Sequence, residues 1–109
     1  METDDGNPRL RTFMVECYAP GIQAIDVAAD GDRAQAAAEA MRRDGRRIEY
    51  VRGLLIPLDE VVFHLFRAQD AGLVREAVSR AAVTCERIVE SIVVETGSDA
   101  RRFLPDGRR

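Results

Sequence analysis

The sequence contains no lysine, only one histidine and two cysteines, and each shortage narrows the classes of function open to it. All 16 basic residues are arginine, and 19 acidic residues leave a net charge of -3, so no global attraction to nucleic acid or to an anionic membrane is expected. The cysteines, Cys17 and Cys85, form neither a CxxC pair nor a disulfide framework. This usage predicts a reducing, cytoplasmic setting.

Long hydrophobic runs are also missing. No apolar stretch approaches the roughly 20 residues that a membrane span needs, and the first ten residues are acidic and polar where a signal peptide would be basic and then apolar. No P-loop, GxGxxG, HExxH or GxSxG motif occurs. The sequence therefore predicts neither membrane insertion nor export, and it offers no short motif for nucleotide or hydrolase chemistry.

What is present is the composition of one globular domain, because 46% of the 109 residues are apolar and 32% are charged. Residues 1–10 are rich in Asp, Gly, Asn and Pro, and residues 96–109 are rich in Gly, Pro and Arg. Both segments are predicted to be flexible tails. Residues 11–95 alternate between strand and helix patterns, which predicts a single core.

The body of the chain divides into two β-α-β units. Strands are predicted at 11–19, 46–57, 61–68 and 85–95, and helices at 33–45 and 71–83. Asp32 and Asp70 are the expected N-caps, and Gly45 is expected to end the first helix. The order β-α-β-β-α-β predicts a ferredoxin-like α+β domain, in which two helices cover one face of a four-stranded antiparallel sheet.

The second face of such a sheet has no helix to cover it. If Phe13, Val15, Phe63 and Leu65 face the helices, alternation places on the open face Met14, Glu16, Tyr18, Tyr50, Arg52, Leu54, Val62, His64 and Phe66. This set is too apolar to remain in water. It predicts an isologous homodimer through the two sheets, a ligand groove, or both.

His64 is the first candidate for chemistry, because a neutral imidazole suits both proton transfer and metal binding. Aligning the two β-α-β halves places Glu16 on the neighbouring strand, so the pair could form a general base with its carboxylate or two ligands of a metal site. The alternatives are a half-buried imidazole, or an ion pair that fixes a dimer. Tyr18, Tyr50 and Arg52 could bind an aromatic or carboxylate ligand, or they could be ordinary interface residues.

Three stretches carry a resemblance to a known family: "FMVECYAPG" (13–21), "GLLIPLDEVVFHLFRA" (53–68) and "CERIVESIVV" (85–94). They resemble small actinobacterial proteins of the ferredoxin-like, nickel-binding group, most of which are described only as a domain of unknown function. The most specific part is the hairpin that runs through Pro57 and Asp59-Glu60. The resemblance implies a homodimeric α+β fold and, in some relatives, bound Ni(II).

Three functions remain open at this point. The first is a small cytoplasmic homodimer that binds a ligand or a metal on the open face. The second is a cofactor-free isomerase or oxygenase of the dimeric α+β barrel type, with His64 as acid and base, which rests on fold analogy. The third is an interaction module whose open face only forms the dimer. The resemblance and the polar cluster favour the first, and no residue is assigned as catalytic.

Overall fold

The computed structural model describes residues 9–97 and has the predicted element order β-α-β-β-α-β. The strands are β1 (Arg11–Tyr18), β2 (Ile48–Ile56), β3 (Val61–Ala68) and β4 (Arg87–Ser91), and the helices are α1 (Ala24–Arg43) and α2 (Ala71–Arg80). All strand pairs are antiparallel, in the order β2-β3-β1-β4. The predicted ferredoxin-like α+β fold is confirmed. The predicted tails fall mainly on residues 1–8 and 98–109, outside the described residues.

Helix α1 begins at Ala24 rather than after Asp32. The Asp26 carboxylate in its first turn accepts a hydrogen bond of 3.0 Å from the Gln23 backbone N–H, which satisfies one free donor at the helix start. The segment from Asp30 to Asp32, which was expected to precede the helix with Asp32 as its N-cap, therefore lies inside the helix. The predicted end is confirmed, because Gly45 follows the helix with a φ of +86°.

Helix α2 starts at the predicted cap and ends at Arg80, three residues before the predicted end. The Asp70 side chain accepts a hydrogen bond of 3.0 Å from the Leu73 backbone N–H. Both helices pack on the same face of the sheet, and the core lies between this helix layer and the sheet. The largest fully buried side chains are Phe66, Met41, Ile48, His64, Val15, Val62 and Val74.

Strand β3 faces the opposite way from the prediction. Val15 pairs with His64, and Glu16 pairs with Phe63. Residues directly opposite each other on antiparallel strands share a face, so His64 lies on the helix side with Val15. The β1 assignment was right, and the β3 assignment was wrong because this strand carries apolar side chains on both faces. The alternation of residues along β3 therefore does not show which of its two faces points towards the helices.

A bulge in β2 changes the direction of its side chains. Tyr50 pairs with Phe66, but the next regular pair is Arg52 with Leu65, so Val51 is the extra residue. The prediction that Arg52 and Leu54 lie on the open face is correct. Tyr50, by contrast, lies on the helix side, because the bulge interrupts the alternation between it and Arg52.

The open face, as the register defines it, combines apolar and charged side chains. Its members are Thr12, Met14, Glu16, Tyr18, Glu49, Arg52, Leu54, Ile56, Val61, Phe63, Leu65, Arg67, Arg87, Val89 and Ser91. Glu16 and Arg87 form an ion pair at 2.6 Å, and Glu49 and Arg67 form one at 2.8 Å. No element within residues 9–97 covers this face.

Candidate functional site

Tyr50 and His64 form a polar pair beneath α1, in an otherwise apolar part of the core. The Tyr50 hydroxyl lies 2.8 Å from His64 Nδ1. Tyr50 pairs with Phe66, and His64 lies two residues before Phe66 on the same strand, so both rings lie on the helix side of the sheet. His64 is 1% exposed, and the Tyr50 ring meets Phe66 edge-on at a centroid distance of 5.2 Å. Packing therefore holds both rings of the pair in place.

Two glycines leave room for the Tyr50 hydroxyl. A Cβ atom at Gly31 would lie 2.8 Å from the Tyr50 hydroxyl oxygen, and one at Gly53 would lie 3.1 Å from it. The second would also lie 3.4 Å from His64 Nδ1. A glycine in the middle of a helix costs roughly 0.5–1 kcal/mol relative to alanine. Gly31 is therefore a sequence signal for a close approach, which the predicted helix start after Asp32 overlooked.

Both members of the pair are neutral near pH 7. Burial lowers the pKa of His64, although the negative charge of Asp30 partly opposes this. Burial, together with the charges of Asp30 and Asp32, raises the pKa of Tyr50 to about 12. The contact between the two rings is therefore a hydrogen bond between neutral groups.

The tautomer of His64 follows from which of its nitrogens has a partner. Nε2 is buried and has no hydrogen-bond partner among the described residues. A buried N–H without a partner is rarer in folded proteins than an under-satisfied acceptor, so we assign the single imidazole proton to Nδ1. Nδ1–H then donates to the Tyr50 oxygen, and the hydrogen of the Tyr50 hydroxyl is free to donate to another group.

A groove of about 390 Å³ lies between α1 and the edge strand β2, and Tyr50 lines it. Small or apolar side chains of both elements form its walls, including those of Ala28 and Leu55, and exposed Asp32 and Gln35 add polar atoms. This volume falls within the range of small-molecule sites. The groove is therefore the candidate ligand site beside Tyr50.

The structure separates the residues that the sequence grouped into sites. Glu16 lies on the open face in its ion pair with Arg87, whereas His64 lies on the helix side. The expectation that these two share a face is wrong, because the β3 assignment on which it rested is reversed. Tyr18 and Arg52 also lie on the open face, away from Tyr50, so the predicted three-residue ligand site is divided between two faces.

The described residues do not fit a metal site. They contain no group of three or more His, Cys, Asp or Glu side chains that could hold an ion. Burial raises the pKa of Cys17 to about 12 and also raises that of Cys85, which disfavours the thiolates that metals bind. Within residues 9–97 of one chain, the nickel that the family resemblance implies has no ligand set.

Comparison with known proteins supports the fold. No protein-family model matches the chain, and no curated protein matches it either. The fold is similar to that of SCO4226 from Streptomyces coelicolor A3(2). The two structures align with a TM-score of 0.56 and 19% sequence identity, over 75% of this chain and 96% of that one.

An identity this low shows a common fold and carries no function across. The resemblance to nickel-binding proteins therefore stays a prediction from the sequence. Neither helix within residues 9–97 has the length and apolar character that crossing a membrane requires.

Proposed function

We propose that this protein is a small homodimeric ligand-binding protein and that its ligand lies in the groove between α1 and β2. The observation that supports this most is the hydrogen bond between Tyr50 and His64. This hydrogen bond holds the Tyr50 ring from the core side, and the same residue lines the groove. A polar group that is held in place before the ligand arrives loses little conformational freedom on binding.

Binding is a better account of this geometry than acid–base catalysis. A general base must come within hydrogen-bond reach of the proton that it removes. His64 is 1% exposed and reaches the groove only through the Tyr50 hydroxyl. The Tyr50 pKa of about 12 makes this hydroxyl a poor proton donor or acceptor near neutral pH. We therefore favour binding over the isomerase or oxygenase function and assign no catalytic residue.

The proposed ligand is organic rather than a nickel ion. One His64 nitrogen contacts the Tyr50 hydroxyl, and the other is buried in the core of the chain. Glu16, the second ligand expected from the sequence, lies across the sheet. Nickel favours imidazole nitrogens, and this chain has a single histidine.

The homodimer is proposed from the open face. This surface has apolar side chains on all four strands, and Tyr18, Leu54 and Val89 are 56%, 47% and 39% exposed. A two-fold axis through the sheet would bury the same surface on both copies, and the charged pairs beside it would help to set the register. An interaction module with a different partner would use the same face.

A fragment screen by NMR, on ¹⁵N-labelled protein, tests the groove. We expect binding fragments to shift amide signals of α1 and β2 around Tyr50. Tyr50→Phe should weaken them about twofold to tenfold, the contribution of one neutral hydrogen bond. Tyr18→Phe is the matched control, because it removes the same group from the open face. Shifts confined to the open face, or equal effects of the two variants, would refute the proposed site.

Light scattering tests the dimer. We expect the wild-type protein at micromolar concentration to have about twice the monomer mass of 12.1 kDa. Leu65→Glu, on the open face, should shift it to the monomer, and Ser79→Glu, on the exposed side of α2, should not. A wild-type monomer would contradict the homodimer and leave the groove proposal to be judged by the NMR screen.

A further inference from the structure

We propose that the groove between α1 and β2 selects cationic ligands, namely small molecules that join a protonated amine to a compact apolar group. This inference rests on the proposed function and names the chemical class of its ligand. It follows from the charged side chain that lines the groove and from the small and apolar side chains of its walls.

The charged side chain of the groove is acidic. Asp32 lines the groove, and none of the chain's 16 arginines is among the lining residues that the structure describes. The nearby Arg33 is engaged elsewhere, because it forms an ion pair with Asp30 at 2.6 Å and donates to the Ala81 carbonyl at 2.8 Å. Asp26, in the first turn of α1, offsets the partial positive charge of that helix end.

The negative potential extends to the Tyr50 hydroxyl. Burial is the main cause of the raised pKa of Tyr50, and the charges of Asp30 and Asp32 add to it; the charge of Asp30 also opposes the lowering of the His64 pKa by burial. An ammonium group in the groove would be attracted by the Asp32 carboxylate, whereas a carboxylate would be repelled. The apolar part of the ligand would meet the walls near Val27 and Leu55.

This class of ligand differs from the one that the sequence suggested. An aromatic or carboxylate ligand was one of two possibilities there, because Arg52 was placed beside Tyr50 and a guanidinium group binds carboxylates with two hydrogen bonds. The bulge at Val51 puts Arg52 on the open face. The groove is therefore lined by Tyr50 and Asp32, and Arg52 lies outside it.

Three probes of one shape separate the charge from the rest of the ligand: benzylamine, benzyl alcohol and benzoate. Titrated into ¹⁵N-labelled protein at pH 7 and low salt, benzylamine should bind most tightly and benzoate most weakly. Asp32→Asn should weaken benzylamine about threefold to fivefold, as expected for an exposed charge, and should leave benzyl alcohol unchanged. Asp44→Asn is the control, because it removes a carboxylate at the other end of α1 and should affect neither probe.

The outcomes distinguish this inference from the proposed function. Benzoate that binds in the groove as tightly as benzylamine would overturn the inference and leave the groove as a ligand site. An unchanged affinity for benzylamine in Asp32→Asn would also overturn it. If none of the three probes shifts signals around Tyr50, both the inference and the proposed ligand site fail.

Discussion

Both faces of this sheet carry large apolar side chains, but one face is buried by the helices and the other is not. On the helix side, Phe66 and His64 are 0% and 1% exposed, and the only buried polar side chain of the described residues is hydrogen-bonded to Tyr50. On the open face, Leu54 is 47% exposed and charged pairs lie beside the apolar groups. The comparison shows that hydrophobicity alone does not determine the core face; the helices and the strand register do.

The largest expected difference between the faces is in the cost of removing a phenylalanine from β3. Phe66→Ala should lower the free energy of unfolding by about 3–5 kcal/mol, because it leaves a cavity in the core. Phe63→Ala, three residues away on the open face, should cost roughly 1 kcal/mol in the monomer, since its side chain is partly exposed already. Urea denaturation at a concentration that favours the monomer measures both. Equal losses would mean that the faces are assigned wrongly.

A second prediction concerns the close approach of α1 to Tyr50. Gly31→Ala should destabilise the protein by about 1–3 kcal/mol, because the new Cβ would lie 2.8 Å from the hydroxyl oxygen. In a Tyr50→Phe background the same change should cost at least about 1 kcal/mol less, since the oxygen is gone. A double-mutant cycle gives this coupling. If Gly31→Ala stabilises the wild type, helix propensity outweighs the contact and the close packing is refuted.

The third prediction is a pH dependence that is confined to the helix side. Because burial lowers the pKa of folded His64 below 6.5, the unfolded chain binds a proton that the folded chain excludes. The free energy of unfolding should therefore fall as the pH drops from 6.5 towards the folded pKa, by up to about 1.4 kcal/mol per pH unit, and this contribution should be constant above 6.5.

Denaturation at pH 7.5 and pH 5.5 measures the effect, and His64→Gln is the control because it cannot take up this proton. We expect a smaller change between the two pH values in the variant. The same change in both proteins would assign the pH dependence to other groups.

The smallest expected effect is on the open face. Glu16→Gln breaks the pair with Arg87, whose side chain is 69% exposed, so it should cost at most about 1 kcal/mol and less at high salt. Thermal unfolding at two salt concentrations measures this. A loss of several kcal/mol that is insensitive to salt would mean that Glu16 is buried against another group.

The parts of the structure that the sequence predicted depend on local signals, and the parts that it missed depend on distant contacts. The Asp70 cap and the Gly45 stop were predictable because each acts within a few residues. The start of α1 was not predictable, because the reason for a glycine inside this helix is the close approach of Tyr50, which lies on β2. The pair of Tyr50 and His64 was missed for two reasons: β3 alternates between apolar residues on both faces, and the bulge at Val51 leaves no clear sequence signal.

Tyr50 holds His64 on the helix side of the sheet. Since His64 is the only histidine of the chain, its ring nitrogens give a single, unambiguous set of ¹⁵N NMR signals that can be followed against pH. We predict a pKa below 6.5, and a Nδ1 signal that changes with Tyr50→Phe and not with Glu16→Gln. A pKa of 6.5 or above, with signals that respond to Glu16→Gln and not to Tyr50→Phe, would contradict the account.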